Sequence, residues 1–355
     1  MITPKFLAPS TSFHAELRRR TDAYFKERGT SATGNYKLFT KAGILVGSLL
    51  FLYVHLVFFT PQVLWAVLEC VLLGIVTAAI GFNIMHDGAH GSFSKRKWLN
   101  QLAGLSLNIL GANVFMWKTK HNVIHHSYTN IDGVDDDLDA RPFLRLCQSQ
   151  KRYKIHRYQH FYFWLTYMGL YLYWIFCSDF VKYFTQKVGD MPLTKMEKKD
   201  HVSFWGFKVF YLSMFAALPI YTVGLLPWLT GFLLYTMCTG FTMSIVFQLA
   251  HTVEDTNFPL PCATTHKIED EWAIHQLKTT ANFATNNKLV TWFMGGLNFQ
   301  IEHHLFPKIS HIHYPEISRI IKQTCQDFNI PYLEFPKTRM AVASHVAHLR
   351  QLALH

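Results

Sequence analysis

The sequence predicts an all-α integral membrane protein with four transmembrane helices, interfacial helices and a cytoplasmic cap. Half of its 355 residues are hydrophobic and only 16% are charged, a composition typical of membrane proteins. Two long stretches, 42–68 and 209–253, contain no Asp, Glu, Lys or Arg. Basic residues flank the apolar segments, whereas the two tight turns within them carry none. These three observations predict two pairs of membrane-spanning helices.

The four spanning helices are expected to be about 20 residues long, the length that a hydrocarbon core requires. They are predicted at Ala42–Phe59, Gln62–Met85, Phe204–Val223 and Trp228–Ala250. Proline marks the turn within each pair, in "FTPQ" at 59–62 and in "GLLP" at 224–227. Neither turn contains Lys or Arg, so the positive-inside rule places both termini and the 86–203 region in the cytoplasm.

Two further apolar segments are expected to lie at the membrane interface and not to cross it. Leu99–Trp117 contains three asparagines, and Phe161–Val181 is crowded with Tyr and Trp. A crossing by Phe161–Val181 would also place His251 on the opposite side of the membrane from His86. An even number of crossings keeps these two histidines together.

The chain is interpreted as one membrane domain, 42–331, with a cytoplasmic N-terminal segment, 1–41, and a cytoplasmic C-terminal tail, 332–355. No nucleic-acid partner is expected despite a net charge of +11, because the basic residues flank apolar segments and face the headgroups of membrane lipids. Six cysteines without a Cys-x-x-Cys pair predict neither disulfides nor a zinc knuckle. The expected location is a bacterial inner membrane and not the endoplasmic reticulum.

Histidines carry the clearest chemical signal, and eight of the twenty fall in short motifs or at a span end. The motifs are "HDGAH" (His86, His90), "HNVIHH" (His121, His125, His126) and "QIEHH" (Gln300, His303, His304), with His251 at the end of the fourth span. Residues three or four positions apart share one helix face, and the predicted topology brings all four clusters to one membrane edge. Imidazole suits zinc, copper and iron, so the pattern predicts that the cap holds a di-metal site without choosing the metal.

Polar side chains near these motifs are candidates to bond the outer nitrogen of a ligating imidazole, which fixes its tautomer. The candidates for this supporting role are Asp87, Glu254, Glu302 and His311. The acidic run formed by Asp132, Asp135, Asp136, Asp137 and Asp139 is interpreted mainly as a solvated loop with Asx-type turns. It lacks the glycine and glutamate spacing of a calcium-binding EF-hand loop.

The three motifs resemble the histidine boxes of the membrane fatty acid desaturases, which read His-x(3–4)-His, His-x(2–3)-His-His and His/Gln-x(2–3)-His-His. "HDGAH", "HNVIHH" and "QIEHHLFP" match these boxes in order and in position relative to four spans. The resemblance extends from about the first span to Pro331. A glutamine at the head of the third box is similar to the front-end subgroup, which inserts a double bond between an existing one and the carboxyl end of the acyl chain.

This resemblance implies a di-iron enzyme that uses O₂ as co-substrate to introduce a cis double bond into a fatty acyl chain carried on a lipid or on CoA. It implies that the iron ligands are His86, His90, His121, His125, His126, His251, His303 and His304. Gln300 stands where related enzymes have a histidine, and is a candidate weak or water-mediated ligand. The candidate substrate contacts are Trp117, Trp164 and Tyr171.

The electron donor is expected to be a separate protein, either ferredoxin or cytochrome b5. Eukaryotic front-end enzymes carry a fused cytochrome b5 domain with a His-Pro-Gly-Gly motif, and this motif does not occur in the sequence. A candidate docking face for an acidic donor is formed by Lys95, Arg96, Lys97, Lys118, Lys120, Arg152 and Lys154. Positive-inside topology alone explains most of that charge.

Two alternatives to a desaturase stay open at this point. A di-iron fatty acyl or alkane hydroxylase uses similar boxes but adds oxygen to carbon. A metal-ion transporter would bind its cargo through the same histidines. Transport sites usually lie near the bilayer midplane, whereas these motifs lie at span ends, so the sequence favours an enzyme.

Overall fold

In the part of the chain that the structure describes, four helices are long and apolar enough to cross a membrane, which confirms the predicted number of spans. The structure, a computed structural model, describes residues 3–8 and 12–354. The spanning helices are α2 (Tyr36–Phe59), α3 (Val63–His90), α9 (Lys198–Val223) and α10 (Leu225–His251). The turn at Thr60–Gln62 joins the first pair where the sequence predicted it. The turn in the second pair is Gly224 alone, because residues 225–227 of the predicted turn form the start of α10.

The spans are longer than predicted, and local features explain their ends. α2 begins at Tyr36 because the Asn35 side chain accepts a hydrogen bond from the backbone N–H of Lys37. α3 continues through the first histidine motif and ends at Gly91, whose φ of 78° suits a helix C-cap. The boundaries predicted from charge therefore make these helices too short.

Small residues let the second and fourth spans pack closely. A Cβ on Gly74 of α3 would lie 2.5 Å from the backbone oxygen of Tyr235 on α10, so this contact requires glycine. Around the contact, apolar side chains such as Leu73, Ile80 and Phe215 form the largest buried cluster. The bundle thereby holds the ends of α3 and α10 beside each other.

The first predicted interfacial segment folds as two helices instead of one. These are α4 (Lys97–Ile109) and α5 (Val114–Lys118). Gly111, with a φ of 94°, makes the break, and the Asn113 side chain caps α5 by accepting bonds from Phe115 N and Met116 N. Of the three asparagines in this segment, Asn113 is therefore a cap residue, whereas Asn100 and Asn108 lie within α4.

The second interfacial segment is one long helix with both of its ends on the cap. It consists of α7 (Gln159–Tyr173), a π-helical turn (Trp174–Ser178) and α8 (Asp179–Thr185). Near its start, Gln159 Nε2 donates to Leu349 O at 2.9 Å, and near its end Lys182 Nζ lies 3.5 Å from Asp136 Oδ2. Because both of its ends contact the cap, the helix begins and ends on the same side, and the number of membrane crossings stays even.

The cap comprises residues 3–8, 12–34, 119–158 and 252–354. Its further helices are α1 (Phe13–Arg28), α6 (His126–Tyr128), α11 (Trp272–Thr279), α12 (Lys288–Phe293), α13 (Gln300–Leu305), α14 (Tyr314–Asp327) and α15 (Thr338–Leu354). The cap also contains 3₁₀ turns at Asp136–Leu138, Lys154–Tyr158 and His311–His313. Phe13, Ile301 and Ile317 lie in its buried apolar core. The C-terminal helix packs Leu349 into a cluster with Tyr167 of α7, so this part of the predicted tail is integrated into the fold.

Three two-residue ladders accompany the helices. Lys5–Phe6 pairs with Lys267–Ile268 and Asn282–Phe283 pairs with Glu334–Phe335, both in parallel, while Lys187–Val188 pairs with Met191–Pro192 in antiparallel. Two residues are too few for an alternating pattern, so the sequence gives no sign of these strands. The two parallel ladders join segments of the cap that are distant in the sequence.

Candidate metal centre

Each histidine motif is placed by a different element. His86 and His90 occupy the last turn of α3 directly after a π-helical turn, Gly81–Met85. His251 is the last residue of α10. The second motif lies on another π-helical turn, Thr119–His125, and on the short helix that follows. Such turns occur frequently at functional sites; here one directly precedes the first motif and another contains most of the second.

The structure brings all eight predicted histidines together where α3 and α10 end. Within each of three groups, the possible ligand atoms all lie within 4.8 Å of one another. The first group contains His86, His90, His121 and His303, the second contains His125, His251 and His304, and the third contains His126, His303 and His304. Since the third group shares His303 with the first and His304 with the second, His126 is a neighbour of both of these groups.

Most inward-facing nitrogens of this cluster lack partners among the described residues, although His121 Nε2 lies 3.3 Å from His126 Nε2 and His251 Nε2 lies 3.1 Å from Gln300 Nε2. The side-chain atoms that are buried yet have no hydrogen bond are the Nε2 atoms of His86, His90, His125, His303 and His304, together with His126 Nδ1 and Gln300 Oε1. Leaving a buried polar atom unpaired costs about 1–3 kcal/mol, so this many in one place calls for an additional partner. Bound metal ions fit the donor set.

Four of the imidazoles are oriented by a polar partner on their outer nitrogen. His125 Nδ1 lies 2.9 Å from Asp135 Oδ2, and His304 Nδ1 lies 2.8 Å from Gln276 Oε1. His303 Nδ1 lies 3.1 Å from the Tyr314 hydroxyl, and His251 Nδ1 lies 3.3 Å from Thr279 O. Because carboxylate, amide and carbonyl oxygens accept, Nδ1 of His125, His304 and His251 donates and Nε2 keeps its lone pair. That is the tautomer that a metal ligand requires.

Burial keeps most of these histidines neutral. Desolvation, together with repulsion from neighbouring imidazoles, holds the pKa values of His121, His126, His303 and His304 well below 6.5. His125 differs: burial acts to lower its pKa, but the Asp135 carboxylate outweighs it and raises the pKa. Neutral imidazoles are the form that binds metal.

The four predicted supporting residues lie at different distances from this centre. Asp87 and His311 contact each other, with His311 Nδ1 3.1 Å from Asp87 Oδ2, next to the first motif. Glu302 is fully buried but accepts from Asn282 Nδ2 and the Tyr332 hydroxyl, both at 2.7 Å. The Glu254 carboxylate accepts from Gln351 at the surface of the C-terminal helix.

The predicted substrate contacts also separate. The partly exposed Trp117 ring stacks on His121 with centroids 4.4 Å apart, so it borders the centre. Tyr171 is buried in the bundle, where its hydroxyl donates to Leu110 O. Trp164 is 42% exposed on the outer face of α7 and donates to Phe161 O. Only Trp117 of the three contacts a motif histidine in the ring contacts of the described chain.

Sequence reasoning missed several residues that contact the histidines. Asp135 is only 3% exposed, so the interpretation of its acidic run as a solvated loop is wrong for this residue. Asp136 and Asp137 are also held, at 3.2 and 3.0 Å from Lys120 Nζ. Gln276, Tyr314 and Phe247 stand in no motif, and their roles follow from tertiary packing alone. The Phe247 ring lies 5.1 Å from His125 and 4.7 Å from His251.

A helical membrane protein with eight imidazoles gathered at its span ends, seven of them buried, has the construction of a membrane metalloprotein. Comparison with known proteins gives the family: the family model described as fatty acid desaturase matches residues 62–336, and the chain belongs to that family. It is therefore an enzyme, a fatty acid desaturase. Family membership excludes the metal-ion transporter alternative.

Individual relatives match over nearly the whole chain. The sn-1 linoleoyl-lipid 6-desaturase of Arthrospira platensis is 36% identical over 349 residues, which cover 98% of this chain and 94% of the relative. The protein with the same description from Synechocystis sp. is 36% identical, over 96% of this chain and 95% of its own length. An acyl-lipid (8-3)-desaturase of Physcomitrium patens is 33% identical, over 98% of this chain and 73% of its own. The relatives are front-end desaturases, as the glutamine in the third box predicts.

Proposed function

We propose that the protein is an O₂-dependent di-iron desaturase that introduces a cis double bond toward the carboxyl end of a fatty acyl chain carried on a lipid. The observation that carries this proposal is the set of buried, unpaired imidazole nitrogens at the ends of two spans. The relatives described above are desaturases of linoleoyl-lipid or acyl-lipid substrates, which supports a lipid carrier over CoA.

The first and second histidine groups would each hold one iron. His86, His90, His121 and His303 would hold the first, and His125, His251 and His304 the second, with His126 between them. The bound irons would supply the reduction of O₂ to water, which takes two electrons from the donor and two from adjacent C–H bonds of the substrate. The protein contributes the fixed geometry and the exclusion of water.

Gln300 belongs to the second iron position in this proposal. Its Nε2 lies 3.1 Å from Nε2 of His251, and its Oε1 has no partner among the described residues. An amide oxygen is a weaker ligand than an imidazole. We therefore assign Gln300 to holding a water, or to a weak bond, at the ion that His251 binds.

The substrate would approach between two partly exposed aromatic rings. Trp117 contacts the first group through His121, and Phe247 contacts the second through His125 and His251. An acyl methylene held between these rings would face both groups. The location of the centre at the ends of α3 and α10 keeps the lipid headgroup near the membrane surface.

Electrons would come from an external donor, ferredoxin or cytochrome b5, on the cytoplasmic side. Lys95, Arg96 and Lys97 are exposed beside the first histidine motif and could attract an acidic partner. Lys120 is less available for this role, because Asp136 and Asp137 neutralise its charge. A bacterial inner membrane with the cap in the cytoplasm agrees with the absence of Lys and Arg from both far turns.

Expression in a host, followed by gas chromatography and mass spectrometry of its lipids, tests the proposal. We expect a new cis double bond in lipid-bound acyl chains, and loss of that product in His304→Ala. The control is His266→Ala, since His266 is exposed in the cap, and it should retain activity. A hydroxylated product without a new double bond would support the hydroxylase alternative, and full activity of His304→Ala would refute its assignment as a ligand.

A further inference from the structure

Lys41 is a buried cation in a spanning helix, and the proposed reaction does not use it. It lies in the second turn of α2, close to the cap, and is only 7% exposed. Its ammonium group lies 2.7 Å from Asn83 Oδ1, 2.9 Å from His311 Nε2 and 3.1 Å from Trp292 O. All three N–H donors therefore have a partner, which a buried charge in a membrane protein requires.

The charge of Lys41 is linked to the first histidine motif through His311. An ammonium group can only donate, so His311 Nε2 accepts and its proton lies on Nδ1. That nitrogen lies 3.1 Å from Asp87 Oδ2, close enough for an electrostatic contact, and the same oxygen accepts a hydrogen bond from Ser310 Oγ at 2.7 Å. The result is a buried chain from cation to imidazole to carboxylate. Its last member, Asp87, is the neighbour of His86.

Lys41 also reaches the segment that leads to the third motif. Asn83 lies in the π-helical turn before His86, and its Nδ2 donates to Phe293 O at 2.8 Å. Gly295 packs so closely that a Cβ there would lie 2.5 Å from Phe82 O. Lys41, Asn83 and the 292–296 backbone therefore form one continuous junction between the two motifs.

We propose that Lys41 is a positioning residue, which holds the first and third histidine motifs at the separation that metal binding requires. The rings of His86 and His303, one from each motif, lie with centroids 4.3 Å apart. A shift between α3 and the 292–304 segment would separate them. This inference rests on the metal centre of the proposed function, and it assigns a role in that centre to the one spanning helix of the first pair that carries no motif.

Lys41→Met tests the inference, because methionine fills the space but removes the charge and the donors. The matched control is Lys37→Met, four residues earlier on α2, where the side chain is exposed. Both full-length proteins would be purified in detergent, checked for membrane insertion and helix content, and titrated with Fe(II). Co(II) absorption would report the ligand geometry.

We expect Lys37→Met to behave as the wild type. Lys41→Met should keep its insertion and helix content but bind Fe(II) about 10- to 100-fold more weakly, the range typical for residues that orient ligands, with an altered Co(II) spectrum. Lys41→Gln, which keeps a donor for Asn83 without the charge, should lose less affinity. Unchanged Fe(II) affinity and Co(II) spectrum in Lys41→Met would overturn the inference.

Two other outcomes are also decisive. If neither Lys41→Met nor Lys41→Gln folds, Lys41 serves stability alone and the positioning role is wrong. If the wild type and Lys37→Met bind no Fe(II), the proposed di-iron function fails. That result is distinguishable from a failure of the Lys41 inference, in which the wild type binds metal and the variant binds it equally well.

Discussion

Individual hydrogen bonds decide which nitrogen of each histidine is free to bind metal. His304 shows this most clearly, since its Nδ1 donates to Gln276 Oε1 while its Nε2 lacks a partner among the described residues. The Gln276 amide has two further bonds: Oε1 accepts from Thr129 Oγ1 at 2.9 Å, and Nε2 donates to His126 O at 3.2 Å. This fully buried glutamine is therefore fixed in one orientation.

Replacing Gln276 by leucine should weaken metal binding without unfolding the protein. Leucine removes the acceptor, so His304 is free to rotate or to change tautomer. We expect metal affinity to fall about 10- to 100-fold, as measured by Fe(II) titration. Gln276→Glu keeps an acceptor and should recover much of the loss. Gln323→Leu, at an exposed position, is the control, and equal loss in that variant would disprove the specific role of Gln276.

Only part of the site could be predicted at the residue scale. The ligand histidines repeat at helical spacing, and that regularity marks them in the sequence. Their partners come from separate helices, so nothing in the sequence near Gln276 or Tyr314 announces a contact with His304 or His303. Asp135 is ten residues from His125 in an acidic run, and its burial depends on how the loop folds around it.

At the scale of elements, the C-terminal helix Thr338–Leu354 is tied to the end of α10 by one histidine. His345 is fully buried, its Nδ1 donates to Thr252 O at 2.6 Å, and its Nε2 accepts from the Tyr167 hydroxyl at 2.7 Å. Thr252 directly follows His251 of the proposed metal centre. In the neutral form of His345 both ring nitrogens are hydrogen-bonded, and burial lowers its pKa to about 4.

This arrangement predicts a pH-dependent contribution to stability. The folded pKa of about 4 lies below the ordinary value of 6.5, so the unfolded chain binds the extra proton between these limits. The free energy of unfolding should therefore fall as the pH drops from 6.5 to 4, by roughly 3 kcal/mol from this residue alone. Over that range, thermal unfolding of His345→Gln should depend less on pH than that of the wild type. The exposed control His266→Gln should show the same pH dependence as the wild type. Equal slopes in wild type and His345→Gln would contradict the assignment.

The elements themselves were predicted unevenly. Long charge-free runs identify the four spans because the hydrocarbon core imposes a minimum length. Their ends extend further than expected, since Lys41 is buried in α2 by tertiary partners and the first motif continues α3. The break at Gly111 and the two-residue ladders depend on local backbone geometry, which hydropathy does not report.

At the scale of the whole molecule, the described structure gathers every histidine motif at one end of the four spans. The two short turns at Thr60–Gln62 and Gly224 lie at the other end. Both ends of the long interfacial helix contact the cap, through Gln159 and Lys182. The number of crossings is consistent with a single side for all the motifs.

A pair of inserted protease sites tests this topology. A site placed next to Gly224 should be cut only from outside the cell, whereas one in the exposed 262–266 loop of the cap should be cut only from the cytoplasm. Cleavage can be followed in intact cells and in inverted vesicles. Cleavage of both sites from the same side would show that the spans do not cross as an even-numbered bundle.

The exclusively imidazole composition of the first and second histidine groups has an electrical consequence for the proposed di-iron centre. Neutral ligands leave the charge of divalent ions uncompensated, and Asp135 returns negative charge only indirectly, through His125. In a medium of low dielectric constant, loss of an electron from such ions is disfavoured, so the ferrous state is stabilised and the reduction potential rises. If the centre holds iron as proposed, an electron donor of modest reducing strength would therefore be sufficient to reduce it.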